Sequence, residues 1–383
     1  MGTGRRGLAG IAMATAIVAG AAVTVTTAEA VPGGAATIAR GDCPAAREKV
    51  ERLEGRITPN ACAFMERQIT FGEMPTGTPP AYGDLAHPRV RAYLDIFDPE
   101  ATLWEAGSAA QRGRTAIGTS ITGSLGLAPS LSYRGTDVVA DGSTVMFGQW
   151  NEVTLKGRTV AYPQIARNVL GDEGRTLQAR RYYDRAVLFR DTLPEAAPTP
   201  LFAGITDRGA PGDGERSRAG LPAEAGLPAE AGLAAQAGVP AEAGLPAQVG
   251  FRARAEEVPE RLAAWNAGDT DALLARTRGA RLGGPGLAAP LVSEAGKRAY
   301  LERLFATADL DLRAGQVAVG ETTTYVEWHG TASVRDGDKL RTGIPFGIVE
   351  RFGPGGEWEL YFDTLPLVAT QAEIGTLFQK LAS

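Results

Sequence analysis

Between Arg208 and Phe251 the sequence turns abruptly to Ala, Gly, Pro, Leu and Glu, in a six-residue repeat that begins Ala219-Gly220-Leu221-Pro222-Ala223-Glu224 and recurs through Gln248. Hexapeptide periods can build a left-handed β-helix, but five repeats give fewer than two coils, too few to bury stacked faces. Frequent proline also removes backbone donors, so the segment reads as a flexible or partly extended linker. The rest of the chain must then fold as units on either side of it.

On both sides the same order of elements recurs. A helical portion rich in Ala and Leu comes first, then four segments of strand character separated by turn signals. In the first unit, helices are expected at Arg89–Phe97 and Gly113–Thr122. Strands follow at Leu131–Ala140, Thr144–Leu155, Arg158–Leu170 and Arg175–Phe189, with turns at Asp141-Gly142 and Lys156-Gly157. The second unit repeats this with helices at Val258–Trp265, Thr270–Arg276 and Gly296–Phe305. Its strands are expected near Leu310–Val319, Thr322–Val334, Leu340–Phe352 and Trp358–Leu365, with a turn at Asp336-Gly337. Helices followed by a meander imply an α+β fold with helices packed on one face of an antiparallel sheet, curled to enclose them.

The first thirty residues have the parts of a secretory signal: basic Arg5-Arg6, an apolar stretch from Leu8 to Val25, and Ala28-Glu29-Ala30 as a cleavage site. The destination expected is the cell exterior or envelope, the alternative being an uncleaved N-terminal anchor; no stable membrane insertion is expected after cleavage. The two cysteines, Cys43 and Cys62, are expected to form a disulfide, closing a loop of about 20 residues and stabilising by roughly 3 kcal/mol. The segment between them reads as a helical hairpin. The organisation expected is therefore a signal at 1–30, a helical segment at 31–84, a first module at 85–195, a linker at 196–254 and a second module at 255–383. The formal net charge of −5 is spread along the chain without a basic stripe, which argues against nucleic acid as a partner.

The residues at the corners of each module resemble the SnoaL-like branch of the nuclear-transport-factor-2-like superfamily. In the first module these are the passage Tyr93 to Trp104, Gly113-Arg114-Thr115-Ala116-Ile117, and Arg180-Arg181-Tyr182-Tyr183-Asp184. The second module has Trp265-Asn266-Ala267-Gly268-Asp269, Gly296-Lys297-Arg298-Ala299-Tyr300 and Leu360-Tyr361-Phe362-Asp363. The resemblance implies two cone-shaped modules, each with a pocket, and a superfamily of polyketide cyclases, epoxide hydrolases, ketosteroid isomerases and non-catalytic members. It also implies pairing through the outer sheet face, so either a homodimer or an intramolecular pseudo-dimer is open.

Period-two alternation places Arg180, Tyr182 and Asp184 on one strand face. If that face lines the pocket, Asp184 is a candidate acid or base with Tyr182 beside it; a strand-end cap is the plain alternative. Trp104, Tyr133, Trp150, Gln164 and Asn168 are candidate ligand-lining residues around it. In the second module Tyr325, Glu327 and His329 alternate on one strand, Glu350 lies on the next, and Tyr361 and Asp363 close the sheet. A histidine among carboxylates suits proton transfer, and equally suits a charge ladder across strands. No metal site is expected, since each module has one histidine, His87 or His329. No phosphate loop, serine elbow or nucleophilic cysteine is present, so any chemistry would be cofactor-free.

Two readings follow. One is an exported binder of a small apolar polyketide- or terpenoid-like ligand, with cyclase, isomerase or hydratase chemistry through Asp184 or Asp363. The other is a non-catalytic exported module that uses its cones for dimerisation or partner recognition. Both modules end in Tyr-aromatic-Asp, but the first surrounds that end with arginines and amides, the second with glutamates and a histidine.

Overall fold

The structure, a computed structural model, describes residues 43–105, 108–208, 257–336 and 339–383. The expected signal, most of the linker, and Gly337 of the expected turn lie outside the described residues. The first module contains α1 (Pro44–Lys49), β1 (Val50–Arg56), α2 (Pro59–Gly72), α3 (Pro88–Asp95), β2 (Phe97–Glu105), β3 (Gln111–Arg112) and α4 (Gly113–Leu127). Its meander follows as β4 (Ser132–Asp141), β5 (Thr144–Leu155), β6 (Arg158–Leu170) and β7 (Thr176–Tyr182), then α5 (Ala186–Arg190). The second module runs α6 (Val258–Ala267), α7 (Thr270–Arg276), β8 (Arg281–Gly283), α8 (Glu294–Thr307), β9 (Ala308–Val319), β10 (Thr324–Asp336), β11 (Lys339–Gly353) and β12 (Glu357–Tyr361). It ends in α9 (Leu365–Val368) and α10 (Gln371–Ala382).

The fold is α+β with two sheets, ordered β1-β4-β5-β6-β7-β2-β3 and β8-β12-β11-β10-β9. Both are open, and both are mixed rather than purely antiparallel. The meanders are antiparallel, but β1 pairs with β4, β2 with β7 and β8 with β12 in parallel. Parallel neighbours need long crossovers, and the intervening helices and strands supply them.

The N-terminal segment also departs from a helical hairpin. Helix α1 stops at Lys49 and the chain becomes a strand, although Arg47 to Leu53 has the composition of a helix. Tertiary partners override that propensity: β1 adds to the sheet edge beside β4, and Glu54 turns inward, buried, to accept the N–H groups of Thr322 and Thr323 in the second module. Gly55 follows with φ of +90°, where a Cβ would overlap the Ala140 carbonyl, so only glycine fits that edge. The Cys43–Cys62 disulfide ties α1 to α2.

Helices cover one face of each sheet. Phe64, Val90, Tyr93, Ile117 and Leu125 pack on Val138, Val145, Phe147 and Ala166 in the first module. Trp265, Leu273, Tyr300 and Leu304 pack on Trp328, Ile348, Trp358 and Leu360 in the second. The uncovered faces meet each other through Val139, Met146, Ile165 and Tyr182 against Ala318, Tyr325 and Val349. The layers are therefore helix, sheet, sheet, helix.

Each module also sends its tail to the other. Residues 201–207, at the start of the expected linker, seat Leu201, Phe202 and Ile205 in the second module's core, with Phe202 stacked 3.9 Å from Tyr300. In return α10 lays Ile374, Leu377 and Leu381 against Val153, Leu155 and Val160, and Phe378 meets Phe189 edge-on.

Candidate functional site

The closing strands end earlier than their sequences suggest, at Tyr182 and Tyr361, and each hands over to a short helix through an aspartate. Asp184 Oδ1 accepts Ala186 N–H within its own module, and Thr364 N–H (3.1 Å) and Oγ1 (2.7 Å) from the other. Asp363 Oδ1 accepts Leu365 N–H in its own module and Arg185 N–H from the other, while Oδ2 takes Arg185 Nε at 2.6 Å. This reciprocity is the signature of a two-fold interface, here within one chain. Burial and the Asp363 charge push the Asp184 carboxyl up to about 6, against the opposing Thr364 hydrogen bonds. Burial also raises Asp363, against the pull of Arg185. Both aspartates thus sit as caps at the seam between modules.

Arg180 and Tyr182 face that seam as well. Directly paired residues share a face, and the pairs Ile165↔Tyr182 and Arg167↔Arg180 put them beside Ile165, which packs on the second module. It is Arg181 that turns to the helix-covered side, bonding Tyr93 Oη and Glu105. The expected set Arg180, Tyr182 and Asp184 therefore lines the outer face.

The second module is split in the same way. Register pairs Val326 with Glu350 and Trp328 with Ile348, so Glu350 lies under the helices, while Tyr325, Glu327 and His329 face the seam. Glu327 and His329 thus never meet Glu350. Glu327 is fully buried and takes Arg167 Nε at 2.9 and 3.1 Å, Arg180 Nη1 at 3.2 Å, Tyr182 Oη at 2.5 Å and Gln316 N–H at 2.9 Å. Burial would raise its pKa, but Arg167 and Arg180 outweigh that and hold it at about 2. Burial and the Glu327 charge push Tyr182 well up. Gly315 makes room: a Cβ there would overlap the Glu327 carboxylate. Tyr325 donates to the Asp137 carbonyl across the seam, and Tyr361 to Glu359.

Glu350 is saturated. Its Oε2 accepts Arg261 Nε (2.6 Å) and Trp328 Nε1 (2.8 Å), and Oε1 accepts Arg261 Nη2 (2.5 Å) and Trp358 Nε1 (2.9 Å). The guanidinium lies over the Phe352 and Trp358 rings at 5.0 and 5.2 Å. With Trp265, Trp328 and Trp358 all fully buried around it, this face is filled by its own side chains.

The helix-covered face of the first sheet differs. Tyr133, Asn151 and Tyr162 form one cross-strand row, Gln149 and Gln164 the next, and Ala166, Arg181 and Glu105 a third. Gln164 Nε2 donates to Gln149 Oε1 at 2.6 Å, and Tyr133 Oη reaches Gln68. The Asn151 Nδ2 is buried with no partner among the described residues. Asn168 shares this parity and bonds the Ala166 carbonyl. Trp104 and Trp150 do not: Trp104 packs on Tyr182 at the seam, and Trp150 is 39% exposed. Burial drives Tyr133 and Tyr162 far above the usual phenol range and Tyr93 up to about 12.

Sequence reasoning missed Arg167, Arg185, Arg261 and Arg181, four arginines that each answer a buried acid or phenol. Strand parity was the available signal for Arg181. Among the described residues no group of three or more His, Cys, Asp or Glu side chains could hold a metal ion, and no helix is long and apolar enough to cross a membrane.

No family model matches the sequence, and no curated protein does. Solved structures do align. A SnoaL-like protein from Jannaschia sp. CCS1 matches at 14% identity and TM-score 0.30, covering 36% of this chain and 96% of its own. An NTF2-like protein of unknown function from Burkholderia pseudomallei K96243 gives 11% and 0.27, over 34% of this chain and 98% of its own. A protein of ketosteroid-isomerase-like fold from Catenulispora acidiphila DSM 44928, solved with trimethylamine, gives 17% and 0.24, over 30% and 94%. The alignments are each about one module long. In fold, the chain is similar to these SnoaL-like, nuclear-transport-factor-2-like proteins.

Proposed function

We propose that this chain is an exported, non-catalytic small-molecule binder with one working module, in which the first module holds the ligand and the second serves as its permanent partner. One observation carries the reading: the partnerless Asn151 amide within a continuous face of hydrogen-bonding side chains, Gln149, Tyr162, Gln164 and Arg181 among them. A buried donor without a partner costs about 1–3 kcal/mol, which a bound acceptor would recover. The equivalent face of the second module is packed shut around Glu350. The ligand this favours is flat and oxygen-bearing, such as a polycyclic phenol or quinone, rather than a wholly apolar one. Proton transfer is not favoured, because Asp184 and Asp363 spend their oxygens on the seam and Glu350 spends its own on Arg261 and two indoles. The Cys43–Cys62 disulfide suits an oxidising destination.

Saturation-transfer NMR with a panel of one- to three-ring phenols and quinones tests this. Binding should be lost in Asn151→Leu and weakened about tenfold in Arg181→Met. Equal binding by wild type and Asn151→Leu would sink the reading.

A further inference from the structure

At the edge of the seam the two sheets part to leave a partly open cleft of about 270 Å³, lined by Trp104, Gln178, Arg180, His329 and Phe346, with Thr102 at its rim. Neither module owns it: Trp104 and Arg180 come from β2 and β7, His329 and Phe346 from β10 and β11. We propose that this cleft is a second ligand site, built jointly by both modules, that takes a small aromatic carboxylate.

Charge comes first. The imidazole of His329 sits in the field of Arg180, Arg167 and Arg313 and of the Glu327 carboxylate. That carboxylate is already bonded by two of them, so the surplus at the cleft is positive. Arg180 gives one N–H to Glu327, and its planar fork carries five. The remainder borders the cleft, where a carboxylate could be held by two parallel bonds.

Shape and polarity narrow the class. Trp104 lies against Tyr182 with ring centroids 5.6 Å apart, which holds its indole as the aromatic wall; Phe346 borders the cleft, but its ring is buried in the second module's core against Phe362. Gly347 lets the strand run close beside the cleft, since a Cβ there would crowd the Trp328 carbonyl and the Tyr182 ring, both at 2.9 Å. His329 makes no hydrogen bond among the described residues. Burial, then the Arg180 charge, pulls its pKa down to about 4, so at neutral pH it offers one donor and one acceptor without adding charge. The volume lies just below the roughly 300–1,000 Å³ of drug-sized pockets, which suits one or two rings.

The chain has only two histidines, His87 and His329, so proton NMR of the imidazole ring signals reads the site directly. Benzoate titrated into the full chain at pH 7 should shift the His329 signals saturably and leave His87 in place. Benzamide, the same ring without the charge, should bind about tenfold more weakly, and so should benzoate to Arg180→Gln. His329→Phe, which fills the cleft without touching the Glu327 bonds, should abolish saturation transfer from the protein to benzoate while leaving the thermal midpoint in place. The proposal is overturned if His329 does not respond to benzoate in the unmodified chain, or if benzamide matches benzoate. It is equally overturned if inorganic sulfate reproduces the whole response, because the cluster then recognises charge alone. None of these readouts involves Asn151 or Arg181, so failure here leaves the first-module reading standing.

Discussion

Arg181 and Glu350 occupy comparable places, each a charged residue on the helix-covered face of its sheet, and their surroundings differ in kind. Glu350 meets a cation and two indoles that use its lone pairs completely, and it is wholly buried. Arg181 keeps 17% of its side chain exposed, bonds a phenol and lies 3.4 Å from Glu105, with a partnerless amide on the same face. Both faces hold a buried donor without a partner among the described residues, Asn151 Nδ2 in the first and Arg261 Nη1 and Trp265 Nε1 in the second, so what closes the second face is the packing of its three indoles around Glu350. The two modules thus differ in how their helix-covered faces are filled, and they meet along the seam.

The largest effect expected from breaking this contrast is at Glu350. Glu350→Gln leaves Arg261 buried without its counter-charge, and urea unfolding should show a loss of about 3–5 kcal/mol. Arg181→Met should lose about 1–2 kcal/mol, because Glu105 remains partly hydrated. Similar losses for both would erase the distinction between a sealed and an open interior.

The seam can be sharpened by pH. The Asp184 carboxyl is raised in the folded state, so the folded chain holds that proton more tightly than the unfolded one, and stability declines as pH rises through about 4 to 6. Asp184→Asn keeps an oxygen for Thr364 and Ala186 and removes the titration. Its stability relative to wild type should be unchanged at pH 4 and rise by about 1–2 kcal/mol at pH 7, allowing for partial exposure. Glu327 has the opposite sign: held at about 2, its contribution is present above its ordinary pKa and lost only as pH falls toward 2. A pH-independent Asp184→Asn difference in chemical denaturation would contradict this account of the seam.

The smallest effect expected is from Gly347→Ala, which pushes a methyl toward the Trp328 carbonyl and the Tyr182 ring. Overpacking of this kind costs about 1 kcal/mol, and calorimetry should show it as a lowered midpoint without splitting the transition. Two separated transitions would mean that the seam is weaker than its buried ion pairs suggest.

Much of the scaffold is legible from the chain alone. The meander strands begin and end within a few residues of their turn signals because Asp-Gly and Lys-Gly pairs supply the left-handed backbone that tight hairpins need, as at Gly142 and Gly157. Cys43 and Cys62 join as their isolation implied. What fails is β1, where Arg47 to Leu53 has helical composition and becomes an edge strand because β4 and Thr322 offer partners no local signal shows.

The sequence by itself determined the repeated order of elements and the alternation within each strand, since both follow from local hydrophobic period and turn chemistry. Only the tertiary structure decided which parity faces the helices. Arg180 and Arg181 are chemically alike neighbours, and nothing local distinguishes the one that meets Glu327 across the seam from the one that meets Tyr93 beneath the helices. That choice is made by the packing of one sheet on another, through residues more than a hundred positions apart. It placed Asp184 and Asp363, the expected acid–base candidates, at the seam, where each accepts a backbone N–H from the opposite module.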